Sequence, residues 1–448
     1  MVGVAQWLEC RVVAPEAEGS SPFTHPRIQP RGWPVPANPL FIHGEKRREI
    51  GGTMNREAPM PGREGAARWI LVAAARPNFM KIAPIVRAVD AHNERGGRPV
   101  KTVLVHTGQH YDANMSGAFF RDLDLPEPDI HLGVGSGTHG EQTGRVMIAF
   151  EKVLLGEPPD LVIVVGDVNS TMACALAAVK LHIPVAHVEA GFRSFDRTMP
   201  EEINRVVTDA VSDYLFTPSG DAGENLLREG VPREKIHTVG DIMVDSLLAG
   251  LETAKGRPTL DRFGLTGRPY ALVTLHRPSN VDDRDAFGRI LRGLAAVAEK
   301  IPVLFPIHPR TRKQAGLFGL ESRFVFHGKE EPVPPTPGSL IHAFPPVGYL
   351  DFLNLMASAA VVLTDSGGVQ QETTVLGVPC ITLRDTTERP VTLTEGTNVL
   401  VHNDPDRMIA EVERALGGGR RPKRPAVWDG RTAERIVRIL TGSPGPGR

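Results

Sequence analysis

From Trp69 to Leu440 short apolar runs alternate with amphipathic stretches, and the alternation runs through twice. In the first series strands are expected at Trp69–Ala75, Lys101–Thr107, Asp160–Gly166, Pro184–Glu189, Tyr214–Pro218 and Lys235–Val239. Helices fit near Lys81–Glu94, Glu141–Leu155, Thr171–Leu181, Glu201–Val211 and Asp221–Glu229. A helix at Asp241–Ala254 and a linker at Lys255–Thr266 lead into the second series. Its strands are expected at Tyr270–Leu275, Pro302–Ile307, Arg323–Phe326, Val361–Thr364, Pro379–Leu383 and Asn398–Val401. The runs are apolar throughout rather than alternately polar, which marks parallel strands covered by helices on both faces. The pattern therefore predicts an α/β chain with two doubly wound units, 68–240 and 241–430, whose strand ends face one cleft. A final segment, 431–448, carries an apolar helix at Arg431–Leu440 that can pack back on the first unit.

Ligands in such sheets sit beyond the carboxyl ends of the strands, so polar residues there are the best functional candidates. The segment Asp365-Ser-Gly-Gly-Val-Gln-Gln-Glu372 follows an apolar strand and leads into a helix expected at Glu372–Leu376. Glycines allow close backbone approach, and free N–H groups at a helix start attract phosphate. Glu372, one turn in, is placed to accept ribose hydroxyls. A plain tight turn would account for the same residues. The first strand ends in Arg76 and Lys81, with no GxGxxG fingerprint. Asp167 follows the third strand, where a helix cap would explain it as well as chemistry does. Glu189 ends the fourth strand, a costly place for a carboxylate unless it is paired or working. Glu201 opens the next helix, at the spacing for a pair with Arg205. Three carboxylates from successive loops on one sheet edge favour acid/base chemistry. The second unit adds His276 and Arg277 at its first strand end, His308 after the next, and Arg384 and Arg389 after the Ser-Gly-Gly helix. The arginines suit a diphosphate.

The chain has 448 residues, 51 Lys+Arg against 52 Asp+Glu, and no apolar run long enough to span a membrane. This balance points to neither nucleic acid nor an anionic membrane. Three scattered cysteines, Cys10, Cys174 and Cys380, make neither a metal-ligand spacing nor a disulfide framework. A cytoplasmic protein without a metal or cofactor is expected. Residues 1–53 show no sustained helix or strand period. The piece from Ala5 to Pro26 reads like the translation of a transfer-RNA gene, and Gly51-Gly52 before Met54 fit a ribosome-binding sequence. Residues 1–53 are expected to be a start-site artefact or a disordered extension.

Seven segments in order resemble one family. They are Arg76-Pro-Asn-Phe-Met-Lys81, Gly166-Asp167, His187-Val-Glu189-Ala-Gly191, Pro200-Glu201-Glu-Ile-Asn-Arg205, His276-Arg277, Asp365 to Glu372, and Arg384-Asp-Thr-Thr-Glu-Arg-Pro390. Together they resemble the non-hydrolysing UDP-N-acetylglucosamine 2-epimerases, from about Trp69 to Leu440. The resemblance implies two Rossmann-like domains in the glycosyltransferase-B arrangement, a homodimer, and a UDP-sugar as partner. It implies interconversion of UDP-GlcNAc and UDP-ManNAc by loss of the C2 proton with departure of UDP, then re-addition. By resemblance Asp167, Glu189, Glu201 and His276 are catalytic. Arg76, Lys81, Arg277, Ser366, Gly367, Gly368, Glu372, Arg384 and Arg389 bind the UDP-sugar. The chain departs from the family at several places. Ala74-Ala75 stand where a Gly-Thr or Gly-Ala pair is commoner, and Gln371 where many members have Glu. Gln109-His-Tyr-Asp112 replaces a segment that contacts an activating second UDP-GlcNAc in many bacterial members. Arg76-Pro77-Asn78 argues against the hydrolysing branch. Alternatives are an epimerase of another UDP-2-acetamido sugar such as a diacetamido uronic acid, a glycosyltransferase of the same architecture, and a non-catalytic UDP-sugar sensor.

Overall fold

The strands of the first series build one parallel sheet in the order β3-β2-β1-β4-β5-β6-β7. They are β1 (Ala67–Ala73), β2 (Val100–His106), β3 (Ile130–His131), β4 (Leu161–Val165), β5 (Val185–Val188), β6 (Tyr214–Thr217) and β7 (Ile236–Thr238). The computed structural model describes residues 65–108, 127–328, 337–418 and 424–442. The expectations for residues 1–53 and for Gln109–Asp112 lie outside the described residues. Successive residues of β1 point to opposite faces: Trp69, Leu71 and Ala73 enter one core, Ile70 and Val72 another. That is why the strands read as continuous apolar runs. One face is covered by α1 (Arg76–Glu94), the other by α2 (His139–Gly156) and α3 (Asn169–Lys180). Helices α4 (Pro200–Val211) and α5 (Gly220–Arg228) complete this half.

The second sheet has the order β10-β11-β9-β8-β12-β13-β14, again all parallel. Its strands are β8 (Ala271–Thr274), β9 (Val303–Pro306), β10 (Phe324–Phe326), β11 (Ile341–Phe344), β12 (Val361–Thr364), β13 (Cys380–Thr382) and β14 (Asn398–Leu400). Between α6 (Ile242–Lys255) and the last helix, its longer helices are α7 (Arg284–Ala298), α8 (Pro309–Leu317), α9 (Tyr349–Ser358), α10 (Gly367–Leu376) and α11 (Pro405–Leu416). Helices α7 and α11 cover one face, and α6 and α9 the other. The order of each sheet reverses beside its first strand, between β1 and β4 and between β8 and β12. Crevices at such switch points hold ligands.

Two helices serve both halves. Helix α6 gives Ile242 and Met243 to the first core, and Leu247 and Ala254 to the core of the second sheet. Helix α12 (Thr432–Thr441) returns to the first core with Ala433, Ile436, Val437 and Leu440. Both sheets belong to one compact unit. No helix among the described residues is long and apolar enough to cross a membrane.

The strands β3 and β11 were not expected. Two residues carry no readable period, and Ile341–Phe344 follows a Pro-rich stretch that masks it. Helix α1 begins at Arg76 rather than Lys81, because Pro77 is tolerated in a first helical turn and Asn78 Oδ1 accepts the Ala75 N–H at 3.0 Å. Helix α10 begins at Gly367 rather than Glu372, so the two glycines form its first turn.

Candidate active site

Glu189 follows β5 and is buried, 5% exposed, with a backbone φ of 71°. A non-glycine residue in this left-handed region carries strain, which persists only where the surroundings impose it. Here one carboxylate oxygen, Oε2, pairs with Lys81 Nζ from α1, and Oε1 is buried with no hydrogen-bond partner. Gly166, at the end of β4, makes room for the pair. Its φ is 70°, and a Cβ there would lie 3.0 Å from Lys81 Nζ. Asn78 pins the start of α1 by donating to the Val165 carbonyl at 3.0 Å. Beneath these loops His187 is fully buried, 2.9 Å from the Gly166 carbonyl and 2.7 Å from Asp209. Asp209 also accepts from Gly191 N at 3.1 Å and from Arg193 at 2.7 Å. Burial alone would raise the Asp209 pKa, but His187 and Arg193 outweigh it and hold the carboxyl below its usual range. This polar lattice locks the turn that carries Glu189.

Asp167 is not a helix cap. Val168 precedes α3 in the cap position without any side-chain bond. The Asp167 carboxylate instead pairs with Arg205 of α4 at 2.5 Å. Arg205 also pairs with Glu202 at 2.8 Å, not with Glu201 as the spacing suggested. Glu202 is buried and accepts the N–H groups of Ser194 and Phe195, each at 2.9 Å. Burial opposes its charge, yet these donors and Arg205 bring its pKa down. Glu201 lies one residue earlier on the exposed side of the same helix start.

On the second sheet, His276 is half exposed and its Nδ1 is 3.0 Å from Asp365. Asp365 is fully buried and also accepts the N–H groups of His276 and Arg277 at 3.0 and 2.9 Å. Burial pulls the Asp365 pKa up, but His276 and these N–H groups leave it lowered. The imidazole is thus oriented from behind. Ser366, Gly367 and Gly368 are half-buried at the start of α10, and Ser366 sits in the cap position with no side-chain cap bond. The guanidinium of Arg389 fills the space beside Gly367, where a Cβ would lie 2.3 Å from its Nη1. It also stacks on Phe192 of the first half, 4.8 Å from the ring centre. Arg384 is one layer back, held in a two-pronged pair with buried Glu388 at 2.7 and 2.9 Å. Arg277 reaches Glu388 at 3.8 Å. Burial and the neighbouring Arg384 push the Arg277 pKa down. Three arginines around one glutamate leave net positive charge at a helix start, a setting for a diphosphate. The charge of Glu388 is also felt by Arg205, which links the Asp167 loop to this cluster.

A third group lies where the halves meet. Asp241, fully buried at the end of β7, caps α6 by accepting Met243 N at 2.9 Å. Its other oxygen accepts from Gln371 Nε2 of α10. Glu372 is also buried and faces Tyr349 and Asp241. Burial and the charge of Asp241 push its pKa up to about 8. For Asp241, burial and the charge of Glu189 push it up to about 7.

The structure thus joins Lys81 to Glu189, Asp167 to Arg205, and Arg277, Arg384 and Arg389 around Glu388. It places Arg76 at the start of α1, with its side chain outside the described residues. Asp209, Asp241, Asp365 and Glu388 were missed as site residues. Asp365 and Glu388 lie inside segments already singled out, and Asp241 carried the signal of a strand-end carboxylate before a helix. Among the described residues no group of three or more His, Cys, Asp or Glu is arranged to hold a metal ion.

A family model described as UDP-N-acetylglucosamine 2-epimerase matches residues 93–441. The UDP-N-acetylglucosamine 2-epimerase of Methanocaldococcus jannaschii is 46% identical over 376 residues, covering 83% of this chain and 98% of that relative. The UDP-2,3-diacetamido-2,3-dideoxy-D-glucuronate 2-epimerase of Pseudomonas aeruginosa is 40% identical over 375 residues, covering 83% and 98%. The crystal structure of the M. jannaschii epimerase with UDP-GlcNAc and UDP superimposes with a TM-score of 0.73, at 45% identity, covering 84% of this chain and 99% of that one.

Proposed function

The chain belongs to the UDP-N-acetylglucosamine 2-epimerase family, and from that premise we propose that it interconverts UDP-GlcNAc and UDP-ManNAc. The observation that carries this reading is the strained, buried Glu189 paired with Lys81, with one carboxylate oxygen left without a hydrogen. A sugar C2–H is poorly acidic. Its loss becomes feasible when UDP departs from C1 in the same step. The C2–H pair then becomes the C1–C2 double bond, and UDP takes the C1–O pair. Glu189 is assigned the proton at one face. Asp167 and Glu201 are assigned to the further proton transfers that two faces require. His276, oriented by Asp365, and Arg277 and Arg389 stabilise the departing diphosphate at the start of α10. Arg384 acts through Glu388 by keeping that cluster in place. Glu372 is assigned to the ribose, and Arg76 to the sugar side of the cleft.

The decisive experiment incubates the protein with UDP-GlcNAc in deuterated water and follows it by proton NMR. UDP-ManNAc with deuterium at C2 is the expected product. Free ManNAc with UDP would place the chain in the hydrolysing branch. The 40% identity to a diacetamido-glucuronate epimerase supports a second substrate, and turnover of that sugar alone would replace the first reading. The reading extends to a cytoplasmic homodimer. Ile148 and Leu155 on α2 are 61% and 63% exposed and are the candidate contacts for a second copy. A monomeric mass in light scattering would remove the dimer.

A further inference from the structure

Resting on the assignment of Arg389 to the diphosphate, we infer that Phe192 is a positioning residue: the first half supplies the aromatic face that orients a phosphate-binding arginine of the second. Arg389 is anchored by its backbone. Its N–H donates to Thr387 Oγ1 at 3.2 Å, and the Thr387 hydroxyl donates to Gln370 of α10 at 2.7 Å. Its carbonyl accepts from Thr392 Oγ1 at 2.8 Å. The side chain is held less firmly. Nη1 is 3.4 Å from Glu388, whose two oxygens already serve Arg384 at 2.7 and 2.9 Å. Nε is buried with no hydrogen-bond partner. Packing therefore fixes the guanidinium. Gly367 leaves it room, and the centre of the Phe192 ring lies 4.8 Å from its central carbon.

Phe192 does not serve a core. It is 4% exposed, yet among the described residues it joins none of the apolar clusters. The chain is tied on both sides of it. Gly191 N donates to Asp209 at 3.1 Å, and the Gly191 carbonyl accepts from Asn225 at 3.0 Å. A Cβ at Gly191 would run into the Ala222 carbonyl. Arg193 is gripped by Asp209 and Glu229, and it donates to the Phe192 carbonyl at 2.7 Å. The negative face of a ring fixed in this way attracts a cation. Stacking uses the flat face of a guanidinium and leaves its N–H edge to an anion. A phosphate oxygen would satisfy the Nε–H that lacks a partner. Phe192 lies three residues after Glu189, so one short loop carries the proposed base and backs the arginine that meets the leaving group. Phe192 itself makes no bond to substrate.

The test is a double-mutant cycle on UDP affinity, measured by calorimetry in the full-length protein. Phe192→Leu keeps an apolar side chain and removes the aromatic face. It should weaken UDP binding by about three- to thirtyfold, and Phe192→Tyr should retain most of the affinity. In an Arg389→Met background, Phe192→Leu should change the affinity by less than about twofold, because the ring acts through the guanidinium. Equal losses in both backgrounds would make Phe192 a structural residue and overturn the inference. So would an affinity that Phe192→Leu leaves unchanged. If Phe192→Leu fails to fold, NMR of the parent decides instead. The Arg389 Nε–H signal, identified by its loss in Arg389→Lys, should lie upfield of the other arginines, shielded by the ring, and move when UDP is added. A signal among the others, or one that UDP leaves in place, would overturn the inference. Coupled UDP binding in a protein that turns over neither candidate sugar would sink the epimerase reading alone. Turnover with uncoupled losses would sink the inference alone.

Discussion

Glu189 is held in a conformation that free peptides avoid, and Lys81 and the room at Gly166 hold it there. Glu189→Gln keeps the shape and removes the proposed base. Turnover should fall below detection while UDP affinity stays within about twofold, because an amide and a carboxylate are nearly isosteric. Near-normal kcat would remove Glu189 from the chemistry. Glu372 leads to a prediction about stability. Burial and the charge of Asp241 raise its folded pKa to about 8 from the ordinary 4.5. Between these values the folded state holds a proton that the unfolded chain has released. Stability therefore falls as pH rises through that window. Asp241, raised to about 7, acts in the same direction. Urea denaturation at pH 6 and pH 8 should show a smaller loss for Glu372→Gln than for the parent. Equal losses would mean that Glu372 is ionised throughout. The strand-end position of Glu189 was readable from sequence, since an acid after Val185–Val188 stands out. Its partner was not, because Lys81 is more than a hundred residues away and only the sheet order makes them neighbours.

Among the elements, α10 carries the proposed diphosphate site. Glycine is a poor helix former, so Gly367 and Gly368 read as loop from sequence, yet they open the helix. Gly367 is required for a reason that composition cannot show: the Arg389 guanidinium occupies the space of a Cβ. Gly367→Ala should displace that flexible side chain at little cost to folding. The loss of one charge-assisted bond to phosphate, about 1.5–3 kcal/mol, should weaken UDP binding by about tenfold or more. Calorimetric titration with UDP is the check, and unchanged affinity would take Arg389 out of the diphosphate site. Helix α4 gives the converse lesson. The spacing of Glu201 and Arg205 fits a surface pair, but Arg205 lies in the buried row, where Glu202 and Asp167 compete for it and win. Periodicity sets which residues share a helix face, while only packing sets which of them bond.

For the molecule as a whole, α6 and α12 stitch the two sheets together. Ile436 is fully buried in the first core although it lies near the far end of the sequence. Ile436→Ala should lower unfolding free energy by about 2–5 kcal/mol. It should do so in both halves at once if they unfold together, as judged by coincident fluorescence and circular-dichroism transitions. A loss confined to one phase would mean that the sheets unfold separately. Most strands of the two parallel sheets, the strand-end carboxylates and the Ser-Gly-Gly segment between a strand and a helix were legible in the chain. They rest on local periodicity and on residues adjacent in sequence, which backbone geometry turns directly into position. The Lys81–Glu189 pair, the Arg389 guanidinium against Gly367 and the Asp241–Gln371 link were decided only by the fold. Each joins groups distant in sequence, and burial sets both their partners and their charge. Low-dielectric surroundings turn such a meeting into a strong interaction, and no local pattern encodes which residues will share that space.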